Sequence, residues 1–243
     1  MRKHLSVFML YVRISLYPTA VVLLLMAAAE LVGFRLLGCG QEERFGSGTC
    51  AILLQTAFFA GYLFTVSFCL GSVRKNCKTG YTLQRLRISE FWTFVWHSVS
   101  NICMFLLLYM TQILVLFLLA RSYAAQGTYA EGAQGIFIDC FRAEFPHAVL
   151  PLDEVSLWIR NGIYVLAAGI SVAYAVLRAR YGKFSIAALF VIALTVRAFP
   201  APIGSGTEGG LIAAIVLFFT AVICVIGAVL TANCGEGREY DDL

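Results

Sequence analysis

Six apolar runs dominate the chain, at 14–37, 51–72, 91–120, 157–177, 184–199 and 210–231. A helix crosses the hydrocarbon core of a bilayer with about 20 apolar residues, in a usual range near 17–25. Inside that core no water satisfies the backbone, so a spanning segment must close its hydrogen bonds internally, as a helix does. The third run is long enough that its first turns lie in the interface. The fifth is short and ends at Pro200. Apolar residues make up 60% of the chain and charged residues 13%, where soluble domains run nearer half apolar. The expected fold is therefore an all-α integral membrane protein with six transmembrane helices, forming one domain over 1–243.

Residues 1–13 carry Arg2, Lys3 and Arg13 ahead of the first run. No small-residue cleavage site follows, so the segment is expected to be retained rather than removed as a signal peptide. Leu5, Phe8, Met9 and Val12 fall at helical spacing. They predict an interfacial amphipathic helix, with Pro18 marking the turn into the first span. The plainer reading is a basic orientation signal.

The interruption at 73–90 carries Arg74, Lys75, Lys78, Arg85 and Arg87 against Glu90. Lys and Arg near span ends are retained on the cytoplasmic side. With the N-terminus, this segment, the 178–183 turn and the 232–243 tail inside, 12 of the 18 basic residues face inward, including every lysine. The inside total is +7 and the outside total −3. Both termini are thus expected in the cytoplasm, with the basic side against anionic lipid. Nothing in the pattern suggests nucleic acid.

The segment reads in two parts. Val73–Gly80 is a basic turn. Tyr81–Ser89 supports one or two helical turns with Leu83 and Leu86 on one face, capped by Thr79 or Thr82.

Three regions lie outside in this topology. Gly-rich 38–50 is bracketed by Cys39 and Cys50, a candidate disulfide; the alternative is three outward thiols with Cys140. The 121–156 segment is the largest, and its second half is expected to form a short helix on the outer membrane face. The Pro/Gly-rich 199–210 stretch has the composition of a broken helix dipping back into the membrane, or of a flexible turn. The polar tail is expected to be disordered.

Signals for chemistry are weak. His4, His97 and His147 fall in different regions, and no metal-binding, nucleotide-binding or nucleophile motif is present. No cofactor is expected in this chain. Charges within spans raise a functional question by default. Glu30, Arg35, Arg160 and Arg197 all lie near span ends, so snorkelling to the interface is the preferred reading. The alternative pairs Glu30 with Arg197 or Arg160, or lines an outward vestibule. Gln55, Asn101, Gln112 and Asn161 add polar positions that suit a pathway or helix–helix hydrogen bonds.

Together, the surface helix at 2–13, the stretch KTGYTLQRLRISEFWTFVWHSVSN between spans two and three, and the 199–210 region resemble the permease subunit of ABC-2 type ABC transporters. The resemblance covers nearly the whole chain. It implies a cytoplasmic coupling helix over 73–90 that docks a separate P-loop ATPase, with Lys78, Thr79, Gly80, Tyr81, Leu83, Gln84, Arg85, Leu86 and Arg87 at the contact. ATP and Mg would belong to that partner, and the chain would not be an enzyme by itself. It further implies a dimer with a second permease copy, export across the bacterial cell membrane, and a path between spans. The competing classes are an accessory or scaffold membrane protein, a secondary carrier and an intramembrane enzyme.

Overall fold

Seven helices are bounded among the described residues of the structure, a computed structural model that describes residues 2–39, 45–46, 48–71, 88–125, 138, 140, 142–151, 155–198 and 207–241. At residues 2–3, 71, 196–198, 207–210 and 233–241 only the backbone is described. The helices are α1 (Arg2–Leu36), α2 (Gly48–Gly71), α3 (Glu90–Ala125), α4 (Glu144–Val149), α5 (Val155–Arg180), α6 (Ile186–Ala198) and α7 (Thr207–Asp241). The chain is all-helical among the described residues. Five helices are long and apolar enough to cross a membrane: α1, α2, α3, α5 and α7. The fifth apolar run forms only the 13-residue α6, about 20 Å long at 1.5 Å per residue.

α1, α3, α5 and α7 pack in a row, with α2 set against α1, α3 and α5, and α6 against α5 and α7. α5 is the most enclosed, with 56% of its apolar window buried against 28% in α1 and α7. The outward surface stays apolar, with Leu24, Leu25, Leu114, Phe117, Phe219 and Ile223 all exposed. A soluble monomer rarely leaves so much apolar surface uncovered, whereas lipid tails cover it without cost.

Close approach at helix crossings falls to small residues. A Cβ on Gly169 of α5 would sit 2.5 Å from Ile102 Cγ1 and 2.9 Å from Ile102 N on α3, so the two backbones meet there. At the end of α5, Gly182 takes φ +67°. Lys183 N–H then bonds the Arg178 carbonyl at 3.0 Å and Gly182 N–H the Ala179 carbonyl at 3.1 Å. This paired closure satisfies orphan carbonyls and turns the chain back into α6 within a few residues.

Four expectations change. First, α1 runs unbroken through Pro18, where a surface helix and a turn were expected. Proline costs one backbone bond, which the remaining 35-residue helix absorbs. Second, the inward face of α1 is Val7, Tyr11, Ser15, Thr19, Val22, Met26, Glu30 and Phe34, all buried, while Leu5 and Met9 are about 60% exposed. Leu5 and Met9 thus point away from the bundle, where lipid can take them, while Phe8 meets Trp96 of α3 and Val12 packs on the core. Third, α4 packs into the bundle: Phe145, Pro146, Ala148 and Val149 are buried, and the helix sits against α2 and α3. Fourth, the tail 233–241 continues α7 as helix, because it contains no proline and simply extends an existing helix past its nucleation cost.

Candidate functional site

Two polar clusters occupy opposite ends of the bundle. The end formed by the starts of α1 and α3 and the close of α5 is rich in basic and aromatic groups. Trp96 Nε1 donates to His4 Nδ1 at 3.2 Å, and His4 meets the Trp92 ring edge-on at 5.3 Å. Tyr11 stacks on His97 with ring centroids 4.4 Å apart. Arg180 Nη2 donates to the Tyr11 hydroxyl at 2.7 Å, and Tyr181 donates to Glu90. The first two turns of α3 are thereby tied to both α1 and α5.

The opposite end is closed by α4. The sequence EFPHAVLP makes this helix short: Pro146 is tolerated in the first turn, and Pro151 follows shortly after the C-cap at Leu150. Its last carbonyls have no partner within the helix. Asn161 Nδ2 and Arg160 Nη2 donate to the Ala148 carbonyl at 2.9 and 3.3 Å. The Tyr109 hydroxyl donates to the Val149 carbonyl at 2.5 Å and accepts from Asn161 Nδ2 at 3.1 Å. Asn161 Oδ1 in turn accepts from Arg160 Nε and Nη2 at 3.3 and 3.2 Å. Arg160 is 1% exposed, and its guanidinium lies 5.8 Å from the Tyr164 ring centroid. A cation at a helix C-terminus is favoured by the helix dipole as well as by the carbonyls.

Beside this network is a cavity of about 30 Å³, with Tyr109, Asn161 and Thr195 on its wall among Phe58, Tyr62, Phe105, Leu108, Tyr164, Val165 and Ala168. One water needs roughly 10–15 Å³ of such space, so it has room for about two. Thr195 belongs to α6, so this short helix runs back along α5 as far as the cavity.

About one turn past Tyr109 on α3, Gln112 Nε2 donates to Glu30 Oε2 of α1 at 3.1 Å. Both side chains are fully buried. Among the described residues Glu30 Oε1 and Gln112 Oε1 have no hydrogen-bond partner.

The sequence candidates therefore sort as follows. Glu30 meets Gln112, and Asn161 meets Arg160, Tyr109 and α4. Glu30 and Arg160 are buried rather than snorkelling: Arg160 is bonded to Asn161 and the Ala148 carbonyl, and Glu30 to Gln112 through one oxygen. Arg35 is exposed, in keeping with snorkelling. Asn101 is buried on α3 with both amide atoms unpartnered, and Gln55 is half-buried on α2. Cys39 and Cys50 are buried in the core, but most of the loop between them lies outside the described residues. The Arg197 side chain, the Lys78–Arg87 stretch and the 199–206 stretch also lie outside them. The roles of Tyr11, Tyr109 and Arg180 were missed. Nothing in the local sequence set them apart from other aromatic and cationic residues of the apolar runs and their ends. Among the described residues no three His, Cys, Asp or Glu side chains gather as a metal site would require. No family model matches the chain, and no curated protein or solved structure is similar to it.

Proposed function

We propose that the chain is the membrane-spanning subunit of an ABC-2 type transporter, driven by a separate ATPase that docks on the 73–90 segment. In this reading all six apolar runs cross the bacterial cell membrane, both termini are cytoplasmic, and two permease copies enclose the pathway. Hydrolysis of ATP with Mg belongs to the ATPase.

The observation that supports this reading is the pinned start of α3. A docking segment transmits work only if the span it enters is held stiffly to its neighbours. Trp96 is bonded to His4 of α1, His97 is stacked on Tyr11, and Glu90 is bonded to Tyr181 beyond α5. A push on residues 78–89 would then move α1, α3 and α5 together. Leu83 and Leu86 would fill a groove on the ATPase while Arg85 and Arg87 meet acidic rims.

Co-purification of the chain with a P-loop ATPase tests the class. The double substitution Leu83→Asp with Leu86→Asp is expected to abolish both assembly and stimulation of ATP hydrolysis. If both survive, the docking role is wrong. The second reading, a secondary carrier, gains from the fully buried Glu30, since buried ionisable groups mark ion and proton pathways. An ATPase-independent, gradient-driven flux in vesicles would favour it.

A further inference from the structure

The hydrogen bond between Glu30 and Gln112 leaves an odd remainder. It uses one oxygen of the carboxyl and one N–H of the amide. The other carboxyl oxygen and the amide oxygen both stay unmet, and both are buried completely. Two buried acceptors on one bonded pair are thus left without a donor.

Among the described side chains none offers Glu30 a countercharge. α1 packs chiefly on α2 and α3. α2 carries no charged residue along its whole length, and α3 carries none between Glu90 and Arg121. The titratable groups that these two helices do present are Tyr62, Cys50 and Cys69 on α2, and His97, Cys103, Tyr109 and Tyr123 on α3. None of them is a cation partner bonded to Glu30. On α1 itself the nearest charge is Arg35, which is exposed. A bare carboxylate in such a place is among the costliest states a membrane helix can hold.

We infer that Glu30 and Gln112 form a proton-binding site, in which a proton on Glu30 Oε1 is donated to Gln112 Oε1 while Gln112 Nε2 donates to Glu30 Oε2. One proton completes a cyclic acid–amide pair and satisfies both unmet oxygens at once. A metal cation is less suited, because two oxygens fall well short of the six or more that hard cations take. The pair bridges α1 and α3, so separating those helices breaks the ring and opens the carboxyl to water, where it gives up its proton. Proton release is thus tied to α1–α3 separation, whichever energy source drives the protein. The site stands apart from the docking segment, and its test is independent of the ATPase.

The experiment is infrared spectroscopy of the full chain in lipid bilayers at neutral pH. The wild type is expected to show a protonated-carboxyl C=O band that shifts in D2O. Glu30→Gln should remove that band, and Gln112→Leu should keep it but move it toward the position of an unbonded acid. A Glu30→Gln spectrum that loses no such band would overturn the proton. A Gln112→Leu band at the wild-type position would overturn the pairing. Loss of the wild-type band on adding Na⁺ or K⁺ at fixed pH would show a cation site instead.

Discussion

Asn161 donates to the Ala148 carbonyl at 2.9 Å and accepts from Arg160 at 3.2 Å, so one amide both caps α4 and shields the buried cation next to it. Removing the two residues should therefore have unequal effects. Arg160→Met takes away a charge together with its desolvation cost and leaves Ala148 with its Asn161 bond; a loss of about 1 kcal/mol is expected. Asn161→Leu removes the acceptor of two Arg160 N–H bonds, the donor to the Tyr109 hydroxyl and the shorter of the two bonds to the Ala148 carbonyl, and should cost about 2–4 kcal/mol. Thermal unfolding in detergent gives the order, and protease cutting within 142–151 should rise with Asn161→Leu far more than with Arg160→Met.

At the other end, Tyr11 serves Arg180 through its hydroxyl and His97 through its ring. Tyr11→Phe keeps the stack and loses the bond. Arg180 is half-buried, which weakens the charge-assisted bond to about 1 kcal/mol, or roughly 2–4 °C in Tm for a chain of this size. Tyr11→Ala also opens a void in a fully buried position and should cost about 3 kcal/mol or more. If Phe and Ala prove equally costly, the ring stack contributes nothing.

The five long apolar helices were legible because the length needed for a crossing is written locally, in an apolar run. The start of α3 and the short α6 both lie within a few residues of where composition put them. The polar contacts were not legible. Glu30 and Gln112 are 82 residues apart, and Tyr109 lies 40 residues from the carbonyl it reaches. Nothing local distinguishes a buried arginine that caps a helix from one that snorkels. The packing of α4 was not legible for the same reason. An apolar, aromatic six-residue helix suits a membrane surface and a bundle mouth alike, and Phe145 against Phe58 decides for the mouth. Pro18 misled because a proline that begins one helix and a proline inside another look identical in sequence.

The charge balance yields an orientation that native Cys77 reports directly. It lies in the 73–90 segment among five basic residues. In a variant whose other seven cysteines are replaced by serine, a membrane-impermeant thiol reagent should label Cys77 in inside-out vesicles and leave it unlabelled in intact cells. The reverse pattern would place the basic end outside and remove the cytoplasmic docking role with it.

The α3–α5 crossing offers a test of packing that needs no assumption about function. Gly169 and Gly162 sit two turns apart on α5, yet their surroundings differ completely. A Cβ at Gly169 would fall 2.5 Å from the Ile102 side chain, 2.9 Å from its backbone nitrogen and 3.1 Å from its Cα. The side-chain atom can rotate away but the backbone atoms cannot, so Gly169→Ala has to push α3 from α5, at about 1–3 kcal/mol. A Cβ at Gly162 would meet nothing within 4 Å. There alanine only removes glycine's backbone freedom, and Gly162→Ala should stabilise the chain by about 0.5–1 kcal/mol. Opposite signs in the two unfolding midpoints are expected. Because α3 also carries Gln112, the displacement caused by Gly169→Ala should loosen the Glu30–Gln112 contact on its far side, and the protonated-carboxyl band should broaden in that variant but not in Gly162→Ala.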